Sequence, residues 1–585
     1  MGIEILRNRI DLVSIPFTER GSRILLFRQD DQFSLRLAER WAKWEGEVGH
    51  YRKRPPLITE LTFLSETGAP LAVEELETYP HCVYVRTSAG EFAWTFLDAE
   101  TLLIRLPAGR YGMSFTVYAQ RGMSDWRGGV LHSKRNVAYT TNAHLVDNEL
   151  ECIDADHFHA RLVIESRAGD AMLLNITPRL GYNRSVPDPN QAIESARRSW
   201  DEWLGAAPRV LDEYRAQYAY AWWIMRSGLV NTRYYFTREA LYPSKIHYVG
   251  VWHWDQVFHS LAYRHVDTRL AEDQLRIVLD HQREDGMLPD AIHDEGLVTY
   301  LAQPVSADVT KPPIITWAVL KSFESSGHLD FVKEVYEPLV RWNAWWLREN
   351  HDQNGLCQYR HPFSSGLDDS PLWDHGMPAT APDLNTYLVL QNRDLAQLSR
   401  LIGKSDAALQ FDREADRLMQ GMLAHLWDEE TGLFRAQAPN QPVPTLTPFS
   451  LLPLLTGDLP EAVTQRLIDH LTDPLLFWTP FPIPTVAVTD PAFDPVQMWR
   501  GPVWINVNYF FVEALRRVGR SELAAELRHK TLDLMLRHSD IYEYYSPLTG
   551  KRPPKAAPMF GWSAALFIEL AIQETHWRSG ERGGA

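Results

Sequence analysis

Residues 364 to 376 read SSGLDDSPLWDHG and carry Asp368, Asp369, Asp374 and His375 in one short run without apolar periodicity. Such a run is a loop. A second acid, Glu543, stands among three tyrosines in YEYYSPLTG, residues 542–550. Hydrolysis of a glycosidic bond needs two carboxyl groups across the scissile bond. One is protonated and donates to the leaving oxygen; the other is ionised and activates water or attacks carbon. Asp368 suits the first role and Glu543 the second. Each has a plainer reading: Asp368 as a turn former or cap, Glu543 as a helix-end charge. Asp255, in WHWDQ, sits where it could cap a helix beginning at QVFHSL. His253 and His259 read as packed or surface residues. His157 and His159 share one face of a strand, a weak metal signal.

Other chemistries lack their signatures. HExxH, CxxC and GxSxG are absent, and IGKS at 402–405 has Leu398 where a P-loop needs its first glycine. The 585 residues carry a net charge of −16, which argues against a nucleic-acid partner and against an anionic membrane surface. No segment has the length and apolarity of a membrane span or a signal peptide, so the expected location is cytoplasmic. The cysteines, Cys82, Cys152 and Cys357, are too far apart for a disulfide framework or a zinc site. Of 21 tryptophans, 15 follow residue 205, which fits a large helical core or an aromatic-lined sugar pocket.

These loops need a scaffold, and the periodicity supplies one in two parts. Residues 1–183 alternate with a period of two. Met113, Phe115 and Val117 in MSFTVYAQ, and Ala160, Leu162 and Ile164 in HARLVIES, predict an antiparallel β-sandwich. Residues 184–206 read as a linker, with RSVPDPNQ (184–191) polar and a short helix near AIESARRSWDEWL. From 207 to 577 the period is helical. Twelve segments are expected near 207–231, 253–265, 268–283, 312–327, 329–350, 382–403, 406–427, 446–456, 459–472, 502–518, 521–538 and 559–575. Pro338 predicts a kink or a start within its segment. Twelve helices fit six hairpins closed into an (α/α)6 toroid, with a tail at 578–585. The long aromatic and acidic loops would gather at one mouth.

Six segments, YVGVWHWDQVFHSLAY, KPPIITWAV, SGLDDSP, MWRGPVWINVNY, YEYYSPLTG and FGWSAAL, occur in that order. Together, over roughly 207–577, they resemble glycoside hydrolase family 63 and its clan of inverting α-glycosidases on (α/α)6 barrels. The resemblance implies Asp368 as general acid and Glu543 as general base. It implies a sugar site drawn from Tyr248, Trp252, Trp254, Asp255, Gln256, Lys311, Gly366, Trp499, Arg500, Gly501, Trp504, Tyr545 and Trp562. It requires no cofactor, has no metal in the reaction and allows a structural calcium. One departure stands out: several members carry Glu four residues before the acid, where this chain has Ser364. The expected activity is an inverting, exo-acting α-glucosidase on small α-linked oligosaccharides or glucosides. A mannosylglycerate or glucosylglycerate hydrolase is the alternative within the class, a phosphorylase is a third reading, and a non-catalytic carbohydrate-binding protein lies outside the class. The linkage, the leaving group and the oligomeric state are not legible.

Overall fold

The structure is a computed structural model and describes residues 1–40, 55–439 and 441–580; residues 581–585 of the expected tail lie outside them. The chain divides into two compact units. The first holds Met1–Ala207 with Trp222–Asn231 and Lys245–Val249, and the second holds the remainder through Ala585.

The first unit is a sandwich of two antiparallel sheets. One is six-stranded, in the order Ile24–Gln29, Gln32–Leu37, Ile58–Leu64, Gly109–Tyr118, His157–Ser166, His144–Cys152. The other is eight-stranded, from Glu75–Thr78 at one edge to Arg121–Asp125 at the other. The alternation seen in the sequence sets the packing. Met113, Phe115 and Val117 are buried and pair with Leu162, Ala160 and Phe158 across the ladder, while Ser114, Thr116 and Tyr118 are more open. The inner faces close on aromatic rings: Phe63 stacks on Phe92 with centroids 3.7 Å apart, and Phe33 meets Trp94 at 5.4 Å. The helix after the sandwich, α1 (Pro189–Ala206), starts earlier than expected. Asp188 accepts the Gln191 N–H and Pro189 fills the first helical position, so the Asp-Pro of the supposed polar linker is a helix start.

The helices that follow are α2 (Arg215–Ser227), α3 (His253–Tyr263), α4 (Thr268–Leu279), α5 (Ile315–Ser326), α6 (Leu329–Glu349), α7 (Pro382–Leu401), α8 (Ser405–His425), α9 (Glu461–Leu471), α10 (Ile505–Arg517), α11 (Ser521–Leu536) and α12 (Gly561–Ser579). α6 starts at Leu329 and carries Pro338 in its interior, so the proline does not begin the helix. The helix expected at 446–456 is instead two 3-10 turns, Pro448–Ser450 and Leu452–Thr456. Pro448 and Pro453 each remove a backbone donor, which leaves too few i to i−4 bonds for an α-helix.

Neighbour relations close a ring: α3 on α5, α5 on α7, α7 on the 452–456 turn, that turn on α10, α10 on α12, and α12 back on α3. α4, α6, α8 and α11 pack outside it. Burial separates the layers. Every residue of α3 is buried, and so is every residue of α10 from Ile505 to Leu515. α8 buries only Ala408, Ala415, Leu418, Met419 and Met422, one stripe facing inward. The result is an (α/α)6 barrel whose inner helices run parallel. Their N-termini therefore share one end, and the loops before α3, α5, α7, α10 and α12 meet there. No helix among the described residues is long and apolar enough to cross a membrane.

Candidate active site

Short cross-links hold the five loops together. Trp252 pairs in a small sheet with Ala291, and the His253 N–H donates to the Asp290 carbonyl at 3.0 Å. Trp504 pairs with Tyr544 and Val503 with Tyr545, joining the loop before α10 to the loop before α12. Trp499 stacks on Trp504 at 3.8 Å and 5°, and Trp254 meets Trp562 edge-on at 5.0 Å and Trp499 at 6.0 Å. These four rings are buried against one another, whereas Trp252 is half-buried and packs edge-on against His293. Trp342 and Trp346 serve the helical core, and the motif tryptophans Trp254, Trp499, Trp504 and Trp562 pack against one another in the loops.

The opening loop is built to present Asp368. Pro362–Ser365 form a 3-10 turn that ends on Gly366 at φ +73°. A Cβ there would lie 2.4 Å from the Trp254 ring, so glycine serves both the backbone conformation and the close approach. The next residue, Leu367, accepts the Trp373 indole N–H at 2.7 Å. Asp369 takes the Gln497 amide at 2.6 Å and the Trp499 N–H at 2.9 Å, which ties the loop down. Asp368 is left to face the site. Its Oδ1 is buried without a hydrogen-bond partner, while the side chain as a whole is 32% exposed.

Lys311 lies beneath it. Its ammonium is 2.8 Å from Asp290 Oδ1, donates to the Phe363 carbonyl at 2.8 Å and stands 3.8 Å from Asp368 Oδ1. The last distance is a charge contact, too long for a hydrogen bond. Burial pushes the Asp368 carboxyl up to about 6; Lys311 pulls the other way, and Asp290 and Asp369 push with burial. For Lys311, burial opposes the charge, but Asp290 and Asp368 outweigh it and raise the ammonium above its usual range. Ser364 is buried and accepts the Thr310 N–H at 3.2 Å.

Glu543 is buried in the loop before α12. Its N–H donates to the Ala557 carbonyl, and its Oε2 accepts the Ala557 N–H, both at 2.9 Å. Asp540 braces the same loop by accepting the Tyr220 hydroxyl and the N–H groups of Ile541 and Met559. Asp255 does not cap its helix. α3 begins at His253, which puts Asp255 inside the first turn. Burial raises its carboxyl well above the usual range. Lys311 opposes that shift, and Glu543 and Asp290 add to it.

Other candidates are used by the scaffold. Gln256 donates to the Leu241 carbonyl, and the Tyr545 hydroxyl accepts the Tyr542 N–H. Gly501 allows its chain to pass the Asp494 carbonyl, which a Cβ would meet at 2.3 Å. Arg500 bonds Asp374 at 2.6 Å. Tyr248 is half-buried and belongs to the first unit. His253 and His259 are packed in the interior, where burial lowers each imidazole to about 3. His157 meets Asp154 and His159 meets Thr116. Among the described residues no three His, Cys, Asp or Glu side chains gather as a metal cage, so no residues are assigned to calcium. Asp290 is absent from the residues the sequence singled out: GMLPDAIH carries no catalytic signature, and Asp290 stands out only through its contact with the buried Lys311.

Comparison with known proteins gives consistent results. The family model described as "Mannosylglycerate hydrolase MGH1-like glycoside hydrolase domain" matches residues 248–563. A mannosylglycerate hydrolase of Thermus thermophilus is 28% identical over 58% of this chain and 97% of its own length. A glucosylglycerate hydrolase of Mycolicibacterium hassiacum is 23% identical over 55% of this chain and 92% of its own length. Among solved structures, a GH63 mannosylglycerate hydrolase from Thermus thermophilus in complex with glucose aligns at TM-score 0.50. It is 25% identical and covers 59% of this chain and 97% of that one. A bacterial glucoamylase complexed with acarbose aligns at TM-score 0.57 over 96% of this chain and 93% of its own; at 10% identity this is a likeness of fold. With its family domain on the barrel and its paired carboxyl loops at one end, the chain is a glycoside hydrolase and belongs to the MGH1-like group of glycoside hydrolase family 63.

Proposed function

We propose that the enzyme is an inverting, exo-acting α-glycosidase, with Asp368 as general acid and Glu543 as general base. The observation that carries this reading is the contrast between the two loops. One carboxyl is raised and partly open, and the other is fixed by a backbone N–H across the same barrel end. Protonated Asp368 gives its proton to the glycosidic oxygen as the bond to C1 breaks. Glu543 takes a proton from a water that attacks C1 from the opposite face. The sugar leaves with inverted configuration, and the two carboxyls exchange protons with solvent to reset. Room for that water requires the carboxyl groups to stand about 6.5–9.5 Å apart. We assign the holding of the sugar to Asp255 and Trp252, on the resemblance of their WHWDQ segment.

For the leaving group, the first reading is a neutral sugar or small alcohol. Asp255, Asp290 and Asp368 face one ammonium, that of Lys311, and Lys311 and Arg500 both already have carboxylate partners. Such a site disfavours an anionic aglycone. The second reading is a glycosyl glycerate, favoured by the names of the relatives. The Arg500–Asp374 pair is open to solvent, with side-chain exposures of 28% and 51%. A substrate carboxylate could take the place of Asp374 on the guanidinium fork.

One experiment tests both levels. Glucosylglycerate, mannosylglycerate and neutral α-linked glucobioses are hydrolysed side by side, with the first product followed by proton NMR. The β-anomer should appear first, and a neutral glucoside should have the highest kcat/KM. An α-anomer as first product overturns inversion. A preference above roughly 100-fold for a glycerate, lost in Arg500→Met, replaces the first reading of the leaving group with the second.

A further inference from the structure

A lysine is a poor neighbour for a general acid. An ammonium 3.8 Å from a carboxyl favours the ionised form, which cannot donate a proton. Yet Lys311 is buried, fixed by the Phe363 carbonyl and pointed at Asp368. The closer carboxylate is Asp290, 2.8 Å away and also buried. Resting on the assignment of Asp368 as the acid, we infer that Asp290 is a positioning residue: it holds and neutralises Lys311, so that the lysine anchors the acid loop without removing the proton from Asp368.

The local connections support this. Asp290 lies in the loop between α4 and α5, immediately before the small strand Ala291–His293 that pairs with Val251–Trp252. The Asp290 carbonyl also receives the His253 N–H at the start of α3. One residue therefore links the helix that carries Asp255, the Lys311 loop and, through Lys311, the Phe363 carbonyl five residues before the acid. The charged groups in play are few. Asp368 is faced by Lys311, Asp290 and Asp369. Lys311 is faced by Asp290, Asp368 and Asp255. Asp290 also feels His361, whose imidazole is lowered by burial. Glu543 acts through Asp255. Asp290 tips the balance because it is the closest carboxylate to the ammonium. Without it, the full charge of Lys311 would act on Asp368.

The test is the alkaline limb of the kcat/KM profile, which reports loss of the acid's proton in the free enzyme. In Asp290→Asn the limb should move to lower pH by about one unit, with a roughly tenfold loss of kcat/KM on that limb. In Lys311→Gln it should move to higher pH. In Asp290→Asn/Lys311→Gln, where both charges go together, it should return towards the wild-type position. The double variant removes the close Asp290–Lys311 pair together, leaving neither as a lone buried charge, so it keeps the test open if a single variant folds poorly. A merely structural role would lower activity at every pH without moving the limb, and that result overturns the inference. So would limbs that move in the same direction in both single variants. The underlying assignment fails separately: if Asp368→Asn keeps its activity and its alkaline limb, Asp368 is not the acid.

Discussion

The sandwich and the barrel both bury extensive hydrophobic surface but treat buried polar groups differently. In the sandwich the inward positions are apolar and aromatic, as in the Phe63–Phe92 stack and the Phe33–Trp94 contact. In the barrel the inner helices are buried over most of their surface, and they and their N-terminal loops carry Asp255, Asp290, Lys311, Asp383, Asp394, Asp540, Glu543 and Glu569 in the interior. Burial lifts Asp383 and Asp540 to about 6 and Asp394 to about 7. A sheet can bury one face with alternating apolar residues and leave its polar ones in water. A helix surrounded by helices has no wet face. Its polar positions must find partners inside, as Glu569 does with Arg264, and at the N-terminal end of the barrel they include the carboxyls proposed for the reaction.

The largest effect that tests this contrast should come from the two proposed carboxyls. Asp368→Asn and Glu543→Gln should each lower kcat by about 10²–10⁴-fold, the range expected for loss of a general acid or base. Neither should lower thermal stability, since Asn at 368 replaces a carboxyl that burial already destabilises in its charged form. Turnover of an unactivated glycoside measured beside thermal unfolding checks both. Near-normal turnover in either variant removes that residue from the mechanism.

Phe63→Ala should do the reverse. Phe63 is buried and stacked between the sheets, so truncation should cost about 3–5 kcal/mol of stability through lost burial and a residual cavity. Turnover per folded molecule should stay at the wild-type value. Denaturant unfolding with active-site titration separates the two quantities. A tenfold fall in kcat of the folded fraction would break the division between scaffold and site.

The sequence made the architecture legible where its period was strong. Alternation placed Met113, Phe115, Val117, Ala160, Leu162 and Ile164 on the inner face, and helical spacing anticipated the barrel. It failed where local chemistry overrode the period. Asp188 and Pro189 started a helix inside a stretch that read as linker, and Pro448 and Pro453 broke one that read as helix. At the candidate site, the composition of the loops singled out Asp368 and Glu543, and the family resemblance of the motif segments added Trp254 and Lys311. Asp290 was illegible, since an Asp before a short strand has no pattern of its own and acquires meaning only from Lys311, 21 positions on. Which polar atoms of Gln256, Arg500 and Tyr545 are already engaged is a question of three-dimensional pairing that no spacing encodes.

The smallest expected effect comes from Asp369, where the two adjacent acids of the opening loop divide their labour. Both carboxylate oxygens of Asp369 are engaged, by the Gln497 amide and the Trp499 N–H. Its charge also pushes Asp368 upward, behind burial and Asp290 in size. Asp369→Asn keeps one acceptor oxygen, so the tie to Trp499 can persist in weakened form while the charge is lost. Bonds to a charged acceptor contribute about 1.5–3 kcal/mol, and a neutral amide keeps part of that. The loop should therefore stay folded, with a small fall in thermal midpoint. Removing a negative neighbour stabilises the ionised form of Asp368, so its proton is lost earlier. The alkaline limb of kcat/KM should move to lower pH by less than about one unit, with little change on the acid side. Asp369→Ala, which removes the tie as well as the charge, should add a fall in kcat at all pH values. If Asp369→Asn leaves the limb in place while Asp369→Ala lowers kcat, the residue acts as a tether alone. If both variants shift the limb equally and kcat holds, its charge matters and its hydrogen bonds to the Trp499 loop do not.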